Sequence, residues 1–346
     1  MRALLATILI VANMSASAWC QPQSKTAADM AKYLGADRER LLFEGAKQEG
    51  KLVWYTSLSS YKEVTTAFES KYPGVSVEPY RAAATMLATR ILSEASARRN
   101  LADAIETTPG ALMLLRDNRL LLPFTSLHLA DYPEGSKEKA PGGLFYTVVD
   151  RESYPGIGYN RNAIRAADVP RNFDDLLKPA LKGKMGISGE EIGIRVVGAM
   201  LKAKGEGFVK KLAAQDIKLY SLPALGLNEL IVSGEVPITF TAVDSNVRLA
   251  AARGAPIAWL PLDLVPANAG GVAALAHSQH PNATLLFIDF LIGPAGQKLL
   301  GEKLGYGGAR KESGFKRWYP EQGLTSYEYA QTIERWHKTL LEIARK

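Results

Sequence analysis

Residues 234–274 read GEVPITFTAVDSNVRLAAARGAPIAWLPLDLVPANAGGVAA, and their pattern decides the fold class. Val236 to Thr239 is a β-run. It breaks into a polar turn, Thr241 to Asn246, which opens a helical pattern ending at Gly254; a second β-run, Ile257 to Leu262, follows at once. Strand, loop, helix and strand in that order form the unit of an α/β protein with a parallel sheet. In such sheets the loop after a strand, where the next helix starts, is the usual seat of a ligand. Free backbone N–H groups and the positive end of the helix dipole converge there.

The same plan repeats upstream. Lys51 to Tyr55 is a β-run delivering the hydroxyl-rich turn Thr56-Ser57-Leu58-Ser59-Ser60 onto a helix whose apolar face is Val64, Ala67 and Phe68. Pro73-Gly74 stops that helix. Val75 to Tyr80 alternates as a strand and hands over to Arg81-Ala82-Ala83-Ala84-Thr85 and a further helix. Leu101 to Glu106 is a short strand ending in Glu106-Thr107-Thr108, after which Pro109 opens a helix from the first-turn position where its missing N–H costs nothing.

Downstream, Leu129 to Gly143 is rich in Pro, Gly and charge and reads as a crossing segment, with β-runs at Leu144 to Val149 and Gly156 to Tyr159 beyond it. Lys184 to Ile187 is another strand, delivering Ser188 through Arg195 onto a helix. After Leu264-Val265-Pro266 the pattern returns to the first unit. The expected organisation is two discontinuous lobes joined by a hinge: residues 45–125 plus 264–310 as the first, 126–263 as the second, and 311–346 as a C-terminal packing helix.

The chain's 346 residues agree with two domains at roughly 100–200 residues each. A formal charge of +7 favours anionic partners. The Lys and Arg residues are scattered, however, with no basic run interleaved with stacking aromatics, so nucleic-acid binding is not expected. Arg2 precedes an apolar run from Ala3 to Ala12, interrupted only by Thr7, and then Ser15-Ala16-Ser17-Ala18, the pattern of a cleavable export signal. Cleavage is expected after Ala18, or alternatively after Cys20. The run is too short for the ~20 residues that span a bilayer. Cys20 is the only cysteine, which excludes an internal disulfide and a cysteine metal cluster. A soluble periplasmic protein is the expectation.

Several phrases, in order, carry a family resemblance: Lys51-Leu-Val-Trp-Tyr-Thr-Ser, Phe68-Glu-Ser-Lys-Tyr-Pro-Gly-Val, Arg90-Ile-Leu-Ser-Glu, Ala102-Asp-Ala-Ile-Glu-Thr, Lys182-Gly-Lys and Gly234-Glu-Val-Pro. Arg253 to Pro256, Ala269-Gly-Gly-Val, and Phe287-Ile-Asp-Phe-Leu through Pro294-Ala-Gly-Gln continue the series. From about Gly50 to Gln297 the chain resembles the extracellular solute-binding proteins of ATP-driven importers, in particular the branch with the ferric-ion-binding proteins. The resemblance implies a type II periplasmic binding fold, two α/β lobes closing over one ligand that an inner-membrane ABC permease then receives. Ferric-binding members hold the metal with a pair of tyrosines after a second-lobe strand, helped by His and Glu of the first lobe. Here that position reads Thr239-Phe-Thr-Ala-Val-Asp-Ser-Asn; Tyr61 falls near the family's His and Met86 near its Glu. Phenolate oxygen suits a hard trivalent ion, so its loss points away from naked ferric ion towards an organic anion or a chelated metal.

Ser57, Ser59 and Arg81 are the expected ligand contacts of the first lobe, with Thr107. Hydroxyls at a helix start suit an anionic oxygen, and guanidinium grips carboxylate or phosphate in bidentate fashion. Plain N-capping is the alternative for the hydroxyls. Ser188, Arg195, Thr241, Asp244 and Asn246 are the second-lobe counterparts. Arg195 alternatively bridges to Glu190 or Glu191 at helical spacing, and Asp244 alternatively caps its helix. The histidines, His128, His277, His280 and His337, have no i+4 partner for a metal. No G-x-S-x-G or phosphate-binding G-x-x-x-x-G-K-S/T motif is present. The expectation is a monomeric ligand-capture subunit without chemistry, resident metal or cofactor. A ferric-ion transporter using other ligands and a secreted enzyme are the alternatives.

Overall fold

The structure, a computed structural model, describes residues 26–222, 224–310 and 314–345. The expected export signal and Cys20 lie outside them. The chain opens with α1 (Ala27–Lys32) and α2 (Arg38–Glu49). It then alternates β1 (Lys51–Thr56), α3 (Tyr61–Lys71), β2 (Ser76–Arg81), α4 (Ala84–Ser96), β3 (Ala104–Thr107) and α5 (Pro109–Asp117). Short β4 (Leu121–Leu122) leads to the pair β5 (Lys137–Ala140) and β6 (Leu144–Ser153). Next come β7 (Pro155–Asn160), β8 (Met185–Ser188), α6 (Glu191–Lys204), α7 (Glu206–Leu212), β9 (Ile217–Tyr220), α8 (Ala224–Ser233), β10 (Ile238–Val243), α9 (Asp244–Ala252) and β11 (Ile257–Leu260). The chain returns through β12 (Val265–Pro266) to β13 (Asn268–Leu275), α10 (Pro281–Ile292) and α11 (Pro294–Lys298). It ends with β14 (Arg317–Trp318), α12 (Ser326–Ile343) and β15 (Ala344–Arg345).

These strands form two mixed sheets, one per lobe, and a separate parallel pair, β12 with β14. The first has the order β2-β1-β3-β13-β6-β5, with β4 on β13; the second runs β11-β7-β10-β8-β9-β15. β3, β8 and β10 are buried along their whole length. Helices cover both faces of their sheets, and such strands read as continuous apolar or small-residue runs rather than alternating ones. In the first lobe Trp54 and Phe68 each meet Phe287 of α10 edge-on, with centroids 4.9 and 5.1 Å apart. Such pairs contribute about 0.5–1.5 kcal/mol each beyond the area they bury. In the second lobe α12 starts on a Thr325–Glu328 capping box and seats Trp336, Leu340 and Ile343 in the core formed with α6.

The first crossing differs in place from the expectation. β5 and β6 belong to the first sheet, where β6 pairs with β13 from Asn268↔Ser153 to Val272↔Val148. The chain therefore leaves the first lobe between Ser153 and Pro155, not near residue 125. Pro and Gly mark turns as readily as linkers. Within Leu129 to Gly143 they build 3₁₀ turns and the start of the β5–β6 pair. The return crossing lies at Val265 to Asn268. α1 and α2, upstream of residue 45, also pack in the first lobe through Met30, Ala31, Leu42 and Ala46.

Candidate functional site

Because β1, β2 and β3 are parallel, their C-terminal ends share one edge of the first sheet. Ser57 N–H donates to the Glu106 carbonyl (3.0 Å) and Ala82 N–H to the Thr56 carbonyl (3.1 Å), which ties the three loop starts together. β8, β9 and β10 are likewise parallel, so Ser188, Tyr220 and Val243 end at one edge of the second sheet. The strands that cross between the sheets, β6 to β7 and β12 to β13, join these two edges.

An interlobe chamber of about 1120 Å³ lies beside the crossing. Asp244 and Arg248 of α9 face it from the second lobe; Gln297, Tyr306 and Arg310 face it from the first; Tyr154 lies between them. Asp244 ion-pairs with Arg248 (3.1 Å) and accepts from the Tyr154 backbone N–H (3.3 Å), fixing the start of α9 to the crossing strand. Arg310 is paired with Asp131. The chamber thus has a guanidinium on each lobe, held from one side by an aspartate.

The expected contacts divide in two. Ser59 and Arg81 are exposed at the first-lobe edge, and Ser57, Asn246 and Asp244 are half-buried. Ser60, rather than Ser57 or Ser59, precedes α3, and it makes no side-chain cap bond. The other four have their side chains inside the protein. Thr107 is fully buried on β3. Thr241 Oγ1 accepts from the Ser188 N–H (3.1 Å) and lies 3.0 Å from Thr239 Oγ1, so its hydroxyl ties β10 to β8 instead of facing the cleft. Ser188 Oγ accepts from the Glu190 N–H (3.2 Å) and donates to the Leu222 carbonyl (3.3 Å), closing the turn before α6. Arg195 is 2% exposed; it donates to the Ala267 carbonyl (2.8 Å) and pairs with Glu191 (3.1 Å) and Glu321. Its guanidinium braces α6 against the return crossing and the C-terminal segment. Of the alternatives for this arginine, the bridge to Glu191 is the one formed.

Sequence reading missed the charged residues of the crossing strand. Glu106, at the end of β3, is fully buried; one carboxylate oxygen accepts from Thr56 Oγ1 (2.6 Å) and the Leu58 N–H (3.2 Å), the other meets Arg151 at 2.7 Å. Asp150 is buried, and no side chain donates to either carboxyl oxygen. Desolvation, and then the neighbouring Glu106, push its carboxyl up to about 8 against the pull of Arg151 and of the Asp150 and Arg151 backbone N–H groups. Glu152 accepts from the phenols of Tyr154 (2.5 Å) and Tyr319 (2.6 Å) and pairs with Arg317 (3.0 Å). The signal was present as Asp150-Arg151-Glu152, three charges in succession at the end of an apolar β-run. Among the described residues, no three His, Cys, Asp or Glu side chains come together as a metal site.

Residues 63–322 match the family profile described as bacterial extracellular solute-binding protein. The chain belongs to that family. No curated protein matches the chain. Among solved structures, the solute-binding protein resembles iron-bound HitA from Pseudomonas aeruginosa (TM-score 0.65, 21% identity, covering 84% of this chain and 99% of that one). It also resembles the Trichodesmium protein IdiA, or FutA, in complex with iron and citrate (0.68, 17%, 86% and 100%). A third is AfuA from Actinobacillus pleuropneumoniae with fructose-6-phosphate bound (0.60, 18%, 84% and 99%). At these identities the likeness is one of fold, the two-lobed type II periplasmic binding architecture. By its family the chain is a bacterial extracellular solute-binding protein, a binding component and not an enzyme.

Proposed function

We propose that this solute-binding protein captures a small organic anion, free or as the chelator of a metal, between its lobes and delivers it as a monomer to an inner-membrane ABC permease. The observation that carries the reading is the chamber, which both lobes line and to which each contributes an arginine, Arg248 and Arg310. An anion touching both guanidinium groups gains contacts in the closed form that it lacks in the open one, and that difference drives closure. Ser57, Ser59 and Arg81 at the first-lobe edge and Asn246 at the start of α9 are the further contacts of the proposed site. Iron-bound relatives motivate a ferric reading, but the loop after β10 offers Asp244, Ser245 and Asn246 where phenolates are wanted. Tyr154, the phenol nearest that loop, donates to Glu152.

Thermal-shift screening against small carboxylates, phosphonates, sugar phosphates, amines and ferric chelates tests the proposal. A ligand at ~100 times its Kd stabilises by about 2.7 kcal/mol. Small-angle scattering then reports compaction with the responding anion. Response to amines alone overturns the anion reading, and a phenolate-to-iron charge-transfer band on adding ferric citrate overturns the argument against direct iron ligation.

A further inference from the structure

The cluster of Glu106, Asp150 and Arg151, one layer behind the chamber lining, has no role in the site as described so far. Two chamber residues back directly onto it. Gln297 Nε2 donates to the Asp150 carbonyl (2.6 Å), and the Tyr306 ring lies 5.4 Å from the Arg151 guanidinium. Arg151 lies flat over Gly270 of β13, where a Cβ would come within 2.5 Å of its Cζ, so the guanidinium occupies the space a side chain would take. Its Nε is buried without an acceptor, and 16% of the side chain remains exposed.

Charge counting shows what the cluster needs. Two buried carboxyls face one guanidinium, and Glu106 already takes the guanidinium, a hydroxyl and a backbone N–H. Asp150, at the β-bulge between Gly270 and Gly271, has no side-chain donor for either oxygen and only its own and the Arg151 backbone N–H groups nearby. An ionised carboxylate in that position is a poorly compensated buried charge, which proteins avoid by protonation. Gln297, anchored to the Asp150 carbonyl, has a buried Oε1 with no donor. The titratable groups facing Asp150 are Glu106 from β3, Arg151 on its own strand and the Tyr132 phenol; the Tyr306 phenol stands behind Arg151. Of these groups only Arg151 favours ionisation, joined by the backbone N–H groups of Asp150 and Arg151.

We propose that Arg151, Glu106 and Asp150 form a charge-selecting wall one layer behind the lining of the ligand chamber, reached through Gln297 and Tyr306, with Asp150 held as a neutral acid, so that the chamber admits an anionic solute at neutral pH and disfavours it once that proton is lost. The inference rests on the anion reading of the chamber, and Arg151 is its specificity-determining residue. A bound anion next to the wall raises the proton affinity of Asp150 further. Affinity is therefore full below the unliganded Asp150 value of about 8 and falls as pH rises through it, by up to tenfold per unit for one coupled proton.

Two measurements on the full chain separate this inference from the reading beneath it. Infrared spectroscopy of the unliganded protein is expected to show a protonated-carboxyl band at pH 7 that fades above about pH 8–9 and is missing in Asp150→Asn. No such band in the wild type, or one that survives in D150N, overturns the neutral Asp150 whatever the ligand. Calorimetric titration with citrate and with fructose 6-phosphate as probes supplies the second arm. For a probe that binds, wild-type affinity is expected to decline above pH 8 while D150N, whose amide mimics the neutral acid, stays level, and Arg151→Gln loses at least tenfold at pH 7. A wild-type profile that is flat or rises with pH overturns the wall's role. If neither probe binds at any pH, the anion reading fails with the selecting wall, while the infrared result still decides the proton.

Discussion

Arg195→Met separates the two meanings an arginine near a cleft can have. The guanidinium pairs with Glu321 and Glu191, donates to the Ala267 carbonyl at 2.8 Å, and is 2% exposed against 8% for Glu321. Burial works against its charge, yet Glu321, Tyr329 and Glu191 outweigh it and raise its pKa, so it stays protonated throughout the accessible range. Methionine keeps much of the volume, which limits any cavity term. What remains is a buried Glu321 without its partner and an Ala267 carbonyl without its donor. Removing one member of a buried ion pair costs about 3–5 kcal/mol, because the surviving charge is uncompensated. The surface-exposed partner Glu191 adds nothing to this figure. Urea unfolding of R195M is expected to show a loss of that size, and adding Glu321→Gln is expected to restore more than half of it. The folded variant keeps its thermal response to whichever anion stabilises the wild type. An R195M protein within about 1 kcal/mol of wild type that has lost the ligand response would refute the structural role and return Arg195 to the ligand site.

Further outcomes follow from the same geometry. Asp150→Asn removes a pH slope: a carboxyl whose folded value lies near 8, above the ordinary 3.8, contributes stability fully below about pH 4 and loses it as pH rises to 8. The wild type minus D150N stability difference is therefore expected to change by up to about 1.4 kcal/mol per pH unit in that window, read from urea midpoints at pH 5, 6, 7 and 8, and a level difference contradicts it. Gly193→Ala in the first turn of α6 places a Cβ 1.8 Å from the Ser188 carbonyl oxygen, backbone that cannot swing aside. Overpacking of this kind costs about 1–3 kcal/mol or more, to be checked by thermal unfolding. Arg248→Ala, on an exposed surface of α9, is expected to leave the unfolding midpoint within about 0.5 kcal/mol and weaken anion binding several-fold in calorimetry. Unchanged affinity removes Arg248 from the proposed site.

The α/β plan was legible because each parallel strand announces its helix: Tyr55 to Ser60, Tyr80 to Thr85 and Val243 to Asn246 all pass from an apolar run through a polar turn into helical spacing. The position of the first crossing was not. The choice between a hairpin and a linker at residues 129–143 depends on whether β6 finds β13, some 120 residues later, and no local pattern encodes that pairing. Site residues failed in the same way. Thr241 and Ser188 stand at the right strand ends, but alternation leaves open whether a hydroxyl turns to the cleft or inward, and here Thr241 turns to the Ser188 N–H while Ser188 bonds the Glu190 N–H and the Leu222 carbonyl. Asp244 was legible because it begins a helix, although the N-cap is Val243 and Asp244 makes no cap bond; in the first turn it lies on the rim of the chamber.

The charges of β6 connect the fold to the transport role. Asp150, Arg151 and Glu152 lie in a strand that passes through the middle of the molecule, and apolar residues of similar size would be as stable there or more so. Stability therefore does not account for them. Position does: Glu152 collects Tyr154, Tyr319 and Arg317 from the segments that pass between the lobes, while Arg151 reaches back to Glu106 at the edge of the first sheet. On the proposed capture by lobe closure, these strands are the ones that would bend, and directional charged contacts tolerate only certain arrangements where apolar packing tolerates many. A hinge built on such contacts has few resting states. That property would let a bound solute, through its contacts on both lobes, select one of them and present a single closed surface to the proposed permease.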